Sequence, residues 1–182
     1  MKKQLEKQMR RFTKITVKEI AQYGCLLAFT MIVSYVEVLF PMPIGIPGVK
    51  LGLANVAIVL CLYLFGAFPA LVINVLRIIL CSFLFANLYS LWYSLAGAVL
   101  SFFIMALCKR IKNFSMIGIS VLGGVFHNIG QLLIAFLITE VPVLIYYIPV
   151  LIIIGTVTGF INGGLAKIIY DKIHKYIVKP ES

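Results

Sequence analysis

The sequence S-V-L-G-G-V-F-H-N-I-G-Q, residues 120–131, places small and polar residues inside an apolar run that extends from Phe114 to Leu137. A run of this length can cross a bilayer as a helix. Its small and polar positions follow helical spacing and share one face: Ser120, Gly124, His127, Asn128 and Gln131. An unpaired polar group in hydrocarbon costs several kcal/mol, so this face must contact protein or a water-filled space. The stretch therefore predicts a membrane helix that forms the wall of a binding cavity.

The composition is that of an integral membrane protein. Of the 182 residues, 62% are hydrophobic and only 12% are charged, and the mean hydropathy is +1.07. Soluble domains carry about 25% charged residues. We therefore expect a multi-pass protein of the cytoplasmic membrane that is surrounded by membrane lipids.

The chain has a net charge of +10, and the positions of its basic residues indicate how it is oriented in the membrane. All Lys and Arg residues except Lys50 and Arg77 lie in an N-terminal arm, in a short loop around Arg110 or in the C-terminal tail. Because basic segments stay on the cytoplasmic side, this distribution predicts that both termini are cytoplasmic. The same distribution argues against a nucleic-acid partner, since phosphate binding needs a coherent basic face.

Apolar runs and their interruptions predict an all-α integral membrane protein with six transmembrane helices. The expected spans cover residues of about 20–40, 49–65, 70–85, 88–107, 114–137 and 143–161. A basic cytoplasmic or interfacial arm, residues 1–19, precedes the transmembrane domain of residues 20–166, and a basic cytoplasmic tail of residues 167–182 follows. The Pro- and Gly-rich residues 41–50 form the first outer loop, either as a lid over the outer mouth or as a plain connector.

Small residues mark two surfaces for close helix packing. The first span has a small face, formed by Ala21, Gly24, Cys25 and Ala28, which predicts docking of another helix from this protein or from a partner subunit. The sixth span carries a double GxxxG pattern, which predicts close contact with a neighbouring helix and consists of Gly155, Gly159 and Gly163.

Ionisable and amide side chains of the spans converge in the outer half of the predicted bundle. Two positive charges against one carboxylate favour an anionic or zwitterionic small-molecule ligand that enters from outside. The predicted ligand contacts are Lys50, Arg77, His127, Asn128 and Gln131, with Asn55 and Glu37 in support. Two structural alternatives stay open. Arg77 could simply pair with Glu37, and His127 could be a packing residue.

The sequence argues against catalysis by this chain. Asp171 is the only aspartate, so no paired-Asp magnesium site for diphosphate chemistry can form. The cysteines lie in apolar runs without CxxC spacing, and the two histidines cannot provide haem ligation within the bilayer. Neither a P-loop nor a nucleophile elbow is present. We therefore expect no metal and no intrinsic cofactor, and any ATP would be hydrolysed by partner subunits.

Four blocks of the sequence carry a resemblance to a known family. They are P-G-V-K-L-G-L-A-N-V (residues 47–56, with L-Y-L-F-G after it), Arg77, S-L-A-G (residues 94–97) and S-V-L-G-G-V-F-H-N-I-G-Q-L (residues 120–132). Over residues of about 20–170 the chain resembles the Gx transporter family, also labelled heptaprenyl diphosphate synthase component I. That family resembles in turn the substrate-binding S components of energy-coupling factor (ECF) transporters.

The resemblance implies a six-helix component that binds a ligand near the outer face and docks on a transmembrane coupling subunit with two ATPases. S components dock through an AxxxA pattern, for which Ala21-x-x-x-Cys25 and Gly24-x-x-x-Ala28 are the nearest matches here. The synthase label implies instead an accessory subunit of prenyl diphosphate or menaquinone synthesis. Members are also similar to a membrane component of flavin-based extracellular electron transfer, which implies a bound flavin or quinone.

The leading hypothesis is thus an ECF-like membrane component that captures a small anionic or amphiphilic ligand, such as a vitamin, flavin or isoprenoid-like molecule. The alternative is a non-catalytic accessory subunit of prenyl or menaquinone synthesis or of extracellular electron transfer. A third hypothesis is an assembly scaffold whose polar residues only lock helices together.

Overall fold

The computed structural model describes residues 16–39, 52–85, 88–111 and 114–178. These residues form six α-helices and one short 3₁₀ helix, and the described ranges contain no strand. The helices are α1 (Val17–Leu39), α2 (Ala54–Leu64), α3 (Ala67–Phe85), α4 (Leu88–Lys109), α5 (Met116–Thr139) and α6 (Ile148–Val178), with the 3₁₀ helix Pro142–Tyr147 before α6. The prediction of an all-α fold with six helices is confirmed.

Within the described ranges, five helical segments are long and apolar enough to cross a membrane: α1, α3, α4 from Ser90, α5 and the segment Pro142–His174. Large apolar side chains cover their outer surfaces, and Phe83, Phe103 and Phe160 are each at least 60% exposed. Such surfaces are compatible with lipid rather than with water. The chain is therefore a multi-pass helical membrane protein.

The second helix differs from the expected full span of residues 49–65. It has 11 residues, which correspond to about 16 Å of helix, whereas a bilayer core is about 30 Å thick. Its side chains are buried on all sides, and Ala57, Ile58, Val59, Cys61 and Leu62 have no exposed surface. An apolar run this short without a polar face is typical of a buried core helix, because helices hydrophobic all round need protein around them.

Charged side chains stabilise both ends of the buried helix α2. At its start, the backbone N–H of Leu53 donates to Glu37 Oε1 at 2.6 Å. At its end, Lys109 Nζ donates to the carbonyl oxygen of Leu62 and lies 4.8 Å from the centre of the Tyr63 ring. A carboxylate at the N-terminus and an ammonium at the C-terminus both complement the helix dipole. These contacts satisfy terminal backbone groups that would otherwise be costly to bury.

Replacing Lys109 with methionine is expected to lower the free energy of unfolding by about 1–2 kcal/mol, because the Leu62 carbonyl loses its charged donor. Unfolding can be followed on heating by the reaction of a thiol-reactive dye with Cys61, which is fully buried in α2, after Cys25, Cys81 and Cys108 have been replaced with serine. The matched control is Arg110→Met, since Arg110 is exposed at the same helix end. Equal unfolding temperatures for the two variants would contradict the role assigned to Lys109.

Glycines bring α4, α5 and α6 into backbone contact. A Cβ atom added at Gly155, Gly159 or Gly163 of α6 would lie 2.6–2.8 Å from a Cα atom of α5. On the other side of α5, a Cβ atom added at Gly130 would lie 2.8 Å from the Cα atom of Gly97 in α4. These helices can approach so closely because glycine has no side chain, as expected for small-residue packing in membranes. Helix α2 lies within the bundle and contacts α1, α3, α5 and α6.

Candidate functional site

A cavity lies at the end of the bundle where α1 and α3 end and where α2 and α4 begin. It has a volume of about 50 Å³ and opens to the surroundings of the protein. Most of the lining side chains are polar: Ser34 and Glu37 of α1, Asn55 of α2, Arg77, Cys81 and Ser82 of α3, Ser90 and Ser94 of α4, and His127 and Gln131 of α5. The start of α2 contributes Gly52, Ala54 and Asn55 to the lining.

Arg77 is the fixed cation of the cavity. Its Nη1 donates to Ser34 Oγ at 3.1 Å and its Nη2 donates to Asn74 Oδ1 at 2.9 Å. The Nε atom is buried and has no hydrogen-bond partner among the described residues. Glu37 lines the same cavity. The guanidinium is therefore held in place by neutral groups of α1 and α3, and its positive charge lies at the lining of the cavity.

The start of α2 is held by a residue of α2 itself and by one of α6. Gly52 has a φ of +68°, a conformation that favours glycine, and its carbonyl accepts from the backbone N–H of Asn55 at 2.7 Å. The same carbonyl accepts from Nδ2 of Asn162 in α6 at 3.0 Å. Asn162 is 3% exposed and was not among the residues predicted from sequence. An amide in the middle of an apolar span is the signal that could have identified it.

The polar stripe of α5 divides between two neighbours. His127 and Gln131 line the cavity. They also pack against α4, because a Cβ atom added at Gly97 would lie 2.7 Å from the His127 carbonyl oxygen. Asn128 lies instead in the interface with α6, where its Nδ2 donates to the Leu151 carbonyl at 3.0 Å. Side chains that helical spacing places on one face of α5 thus have different surroundings in the structure.

The structure brings together five of the seven predicted ligand contacts: Glu37, Asn55, Arg77, His127 and Gln131. Asn128 does not line the cavity, since its amide is committed to α6. Lys50 and the predicted loop of residues 41–50 lie outside the described residues, as do residues 1–15 of the predicted arm of residues 1–19. The last residues of that arm belong to α1, which begins at Val17. The glycines of α6 contact α5, away from the cavity.

The small face of α1 lies on the surface of the described bundle. Ala21, Gly24, Cys25 and Ala28 are all exposed, and no atom lies within 4 Å of a Cβ atom added at Gly24. The opposite face of α1 carries Thr30, Ser34 and Glu37, which are buried. The small face therefore does not serve packing within the described part of this chain, while the polar face points inward.

The cavity presents charged, amide and hydroxyl groups from several helices. It offers one guanidinium, one carboxylate, one imidazole, two amides and several hydroxyl groups. No group of three or more His, Cys, Asp or Glu side chains that could hold a metal ion occurs among the described residues. Donors from several helices that face one concave space are typical of a small-molecule site.

Comparisons with known proteins identify the family. No curated protein and no solved structure matches the chain. A family model described as heptaprenyl diphosphate synthase component I matches residues 26–169. The match covers most of the chain, from α1 to α6, and includes every residue described above as lining the cavity. The chain therefore belongs to the heptaprenyl diphosphate synthase component I family.

Proposed function

We propose that this chain is the substrate-binding membrane component of an ECF-like transporter, which captures a small anionic or amphiphilic ligand in the cavity between α1 and α5. By the distribution of basic residues, the cavity opens toward the outer side of the membrane. Transport would require a coupling subunit and ATPases, because the sequence contains no nucleotide-binding motif.

The observation that carries the proposal is the position of Arg77. An arginine within a membrane-spanning helix is costly, by at least about 2.5 kcal/mol on insertion scales, and such residues commonly mark substrate pathways. Arg77 Nε is buried without a partner among the described residues, while neutral groups hold the other two nitrogens. The recorded partners Ser34 and Asn74 are neutral, so they leave the positive charge of the guanidinium at the lining of the cavity. The arrangement is therefore suited to an anionic acceptor supplied by a ligand.

The exposed small face of α1 supports the proposal that the chain docks on a coupling subunit. Small residues allow a helix of another subunit to approach closely. This face lies opposite the side of α1 that lines the cavity, so a partner could dock there without entering the ligand site. A movement of α1 on the partner would be transmitted directly to Ser34 and Glu37, and thereby to the cavity.

The docking surface gives a direct test, in which Gly24→Leu is expected to reduce copurification of partner subunits at least about tenfold. A leucine at this position blocks the close approach that a small residue permits. The tagged protein is purified from its native membrane in mild detergent, and copurified proteins are quantified by mass spectrometry. The matched control is Gly164→Leu on α6, where an added Cβ atom likewise has no neighbour within 4 Å.

Recovery of a coupling subunit and ATPases with the wild type and with Gly164→Leu, but not with Gly24→Leu, is the expected pattern. Recovery of no ATPase in any sample would contradict the transporter proposal. The same wild-type sample identifies the bound ligand after extraction, and its absorption spectrum detects a bound flavin or quinone.

A second candidate function follows from the family description, which names a component of a prenyl diphosphate synthase. In that case the chain would be a non-catalytic accessory subunit, and the cavity would hold the charged end of an isoprenoid substrate or product. Recovery of a soluble synthase component instead of ATPases would favour this function. Recovery of electron-transfer proteins together with a stoichiometric flavin would favour an accessory role in extracellular electron transfer.

A further inference from the structure

We propose that the outer half of α1, residues 31–39, is a gate of the cavity. The gate swings away from α3 and from the start of α2, and it admits a ligand sideways from the bilayer. This inference rests on the proposed function, because it concerns how a ligand reaches that same cavity.

The first argument is the small volume of the cavity, about 50 Å³. One water molecule needs about 10–15 Å³ of such space, so there is room for about four. A ligand of the size of a vitamin or an isoprenoid therefore enters fully only when part of the lining moves. Backbone contacts at glycines join α4, α5 and α6, and α2 is buried, whereas α1 packs mainly against α2 and α3. The helix most free to move is therefore α1.

The second argument is that the two halves of α1 are held by different interactions. In the inner half, Tyr23, Leu26 and Leu27 pack against the apolar core. In the outer half, the buried side chains are polar, namely Ser34 and Glu37. Apolar packing is lost when a helix moves away, whereas a polar contact can be replaced by one to water or to a ligand. The outer half can therefore separate from the bundle at a lower cost than the inner half.

The polar contacts of the gate lie at the cavity. Ser34 Oγ accepts from Arg77 Nη1 at 3.1 Å, which ties the gate to α3. Glu37 Oε1 accepts from Leu53 N–H at 2.6 Å, which ties the gate to the start of α2. Ser34, Glu37 and Arg77 all line the cavity. The groups that hold the gate closed are therefore within reach of whatever enters.

The third argument is a local feature of α1 at the boundary of its two halves. Thr30 is fully buried, and its Oγ1 donates to the carbonyl oxygen of Leu27 at 2.7 Å. Bonds from a threonine side chain to the preceding turn often bend helices, because they compete with the backbone hydrogen bonds. Thr30 lies about one turn before Ser34. This position suits a hinge between the apolar inner half and the polar outer half.

The gate opens toward lipid. Its outward side chains Ile32 and Val36 are exposed, as is Phe83 on the neighbouring part of α3. The rings of Tyr35 and Phe85 lie 4.8 Å apart between α1 and α3. A movement of the gate within the bilayer exchanges one lipid contact for another and brings no apolar side chain into water. An opening between α1 and α3 thus connects the cavity with the outer leaflet, which favours an amphiphilic ligand.

The native thiol of Cys81 can report opening without the natural ligand, because Cys81 lines the cavity from α3. Cys25, Cys61 and Cys108 are first replaced with serine. Membranes that contain the protein are then treated with a neutral, bulky maleimide. The Cys81 thiolate adds to the maleimide double bond, and the adduct takes up a proton. Because the reagent is too large for the closed cavity, its rate of reaction reports how often the gate is open.

The decisive variant is Ser34→Ala, which removes the acceptor of Arg77 Nη1. We expect it to increase the labelling rate of Cys81 about tenfold, which corresponds to about 1.4 kcal/mol in the opening equilibrium. Tyr35→Ala removes the ring contact with Phe85 and should act in the same direction, which gives an independent decision if Ser34→Ala is unstable. The matched control is Ser101→Ala, since Ser101 is a buried serine of α4 that does not line the cavity. It should leave the rate unchanged.

Distances between spin labels, measured by pulsed electron paramagnetic resonance in a cysteine-free background, test the direction of the movement. One pair, Leu39→Cys and Leu137→Cys, labels exposed positions at the outer ends of α1 and α5. A reference pair, Val17→Cys and Phe114→Cys, labels exposed positions at the inner ends. Ser34→Ala should lengthen the outer distance and leave the inner distance unchanged.

An outer distance that Ser34→Ala leaves unchanged would overturn the gate. Equal lengthening of both distances would overturn it as well, because the whole bundle would then have loosened. Neither measurement uses a ligand or a partner, so the proposed transport function is still judged by the copurified subunits alone. Conversely, a gate that opens in a protein without any ATPase partner would support this inference and refute the transporter.

Discussion

Replacing Gly159 with alanine is expected to push α5 and α6 apart and to lower the free energy of unfolding by about 1–3 kcal/mol. The added Cβ atom would lie 2.6 Å from the Cα atom of Val121 and 2.8 Å from the carbonyl oxygen of Ser120. Both are backbone atoms of α5, so no side-chain rotation can relieve the overlap. Thermal unfolding of the purified protein, followed through Cys61 exposure, measures the effect.

The matched control is Gly164→Ala, five residues further along the same helix. No atom lies within 4 Å of a Cβ atom added there. Alanine is favoured over glycine in helices by up to about 1 kcal/mol, so this variant should be as stable as the wild type or more stable. Equal destabilisation by the two substitutions would show that the backbone contact at Gly159 does not hold the helices together.

Replacing Arg77 with glutamine is expected to reduce the amount of native ligand that copurifies by about 10- to 100-fold. Hydrogen bonds to charged groups contribute about 1.5–3 kcal/mol, and each 1.4 kcal/mol is a factor of ten in affinity. Glutamine retains polar atoms near Ser34 and Asn74 but removes the cation and the Nε donor. Ligand is quantified by mass spectrometry after extraction of equal amounts of folded protein.

The control for Arg77 is Arg110→Gln, which removes the same charge from an exposed position at the opposite end of α4 from the cavity. It should leave the ligand content unchanged. Full retention of ligand by Arg77→Gln would contradict the assignment of Arg77 as a ligand contact. A loss of thermal stability with full retention of ligand would support the structural alternative, in which Arg77 only ties α1 to α3.

Much of the fold could be predicted because lipid imposes simple requirements on the sequence. The run from Phe114 to Leu137 became α5, which starts at Met116 after the N-cap residue Ser115. A membrane-spanning helix makes its backbone hydrogen bonds within itself and needs no particular partner for them. Such helices can therefore be located in the sequence from the length and composition of apolar runs. The packing role of the α6 glycines could also be predicted, since small residues at four-residue spacing in a membrane-spanning helix are typical of close helix packing.

The candidate site was only partly predictable, because its composition depends on which neighbour lies beside each face. Periodicity placed His127, Asn128 and Gln131 on one side of α5, but α6 takes Asn128 and the cavity takes the other two. Asn162 contributes to the site through the Gly52 carbonyl, a contact that spans 110 positions in sequence. Helical periodicity describes one helix at a time and contains no information on such pairings.

By itself, then, the sequence determined the helical class, the membrane location and the presence of costly polar groups, since these follow from the solubility of side chains in lipid. Only the tertiary structure decided that α2 is a short buried helix, with Glu37 at its start and Lys109 at its end. This placement brings the start of α2 to the cavity, which residues of α1, α3, α4 and α5 also line. Local sequence cannot specify it, since the partners that stabilise a buried helix end lie on other helices.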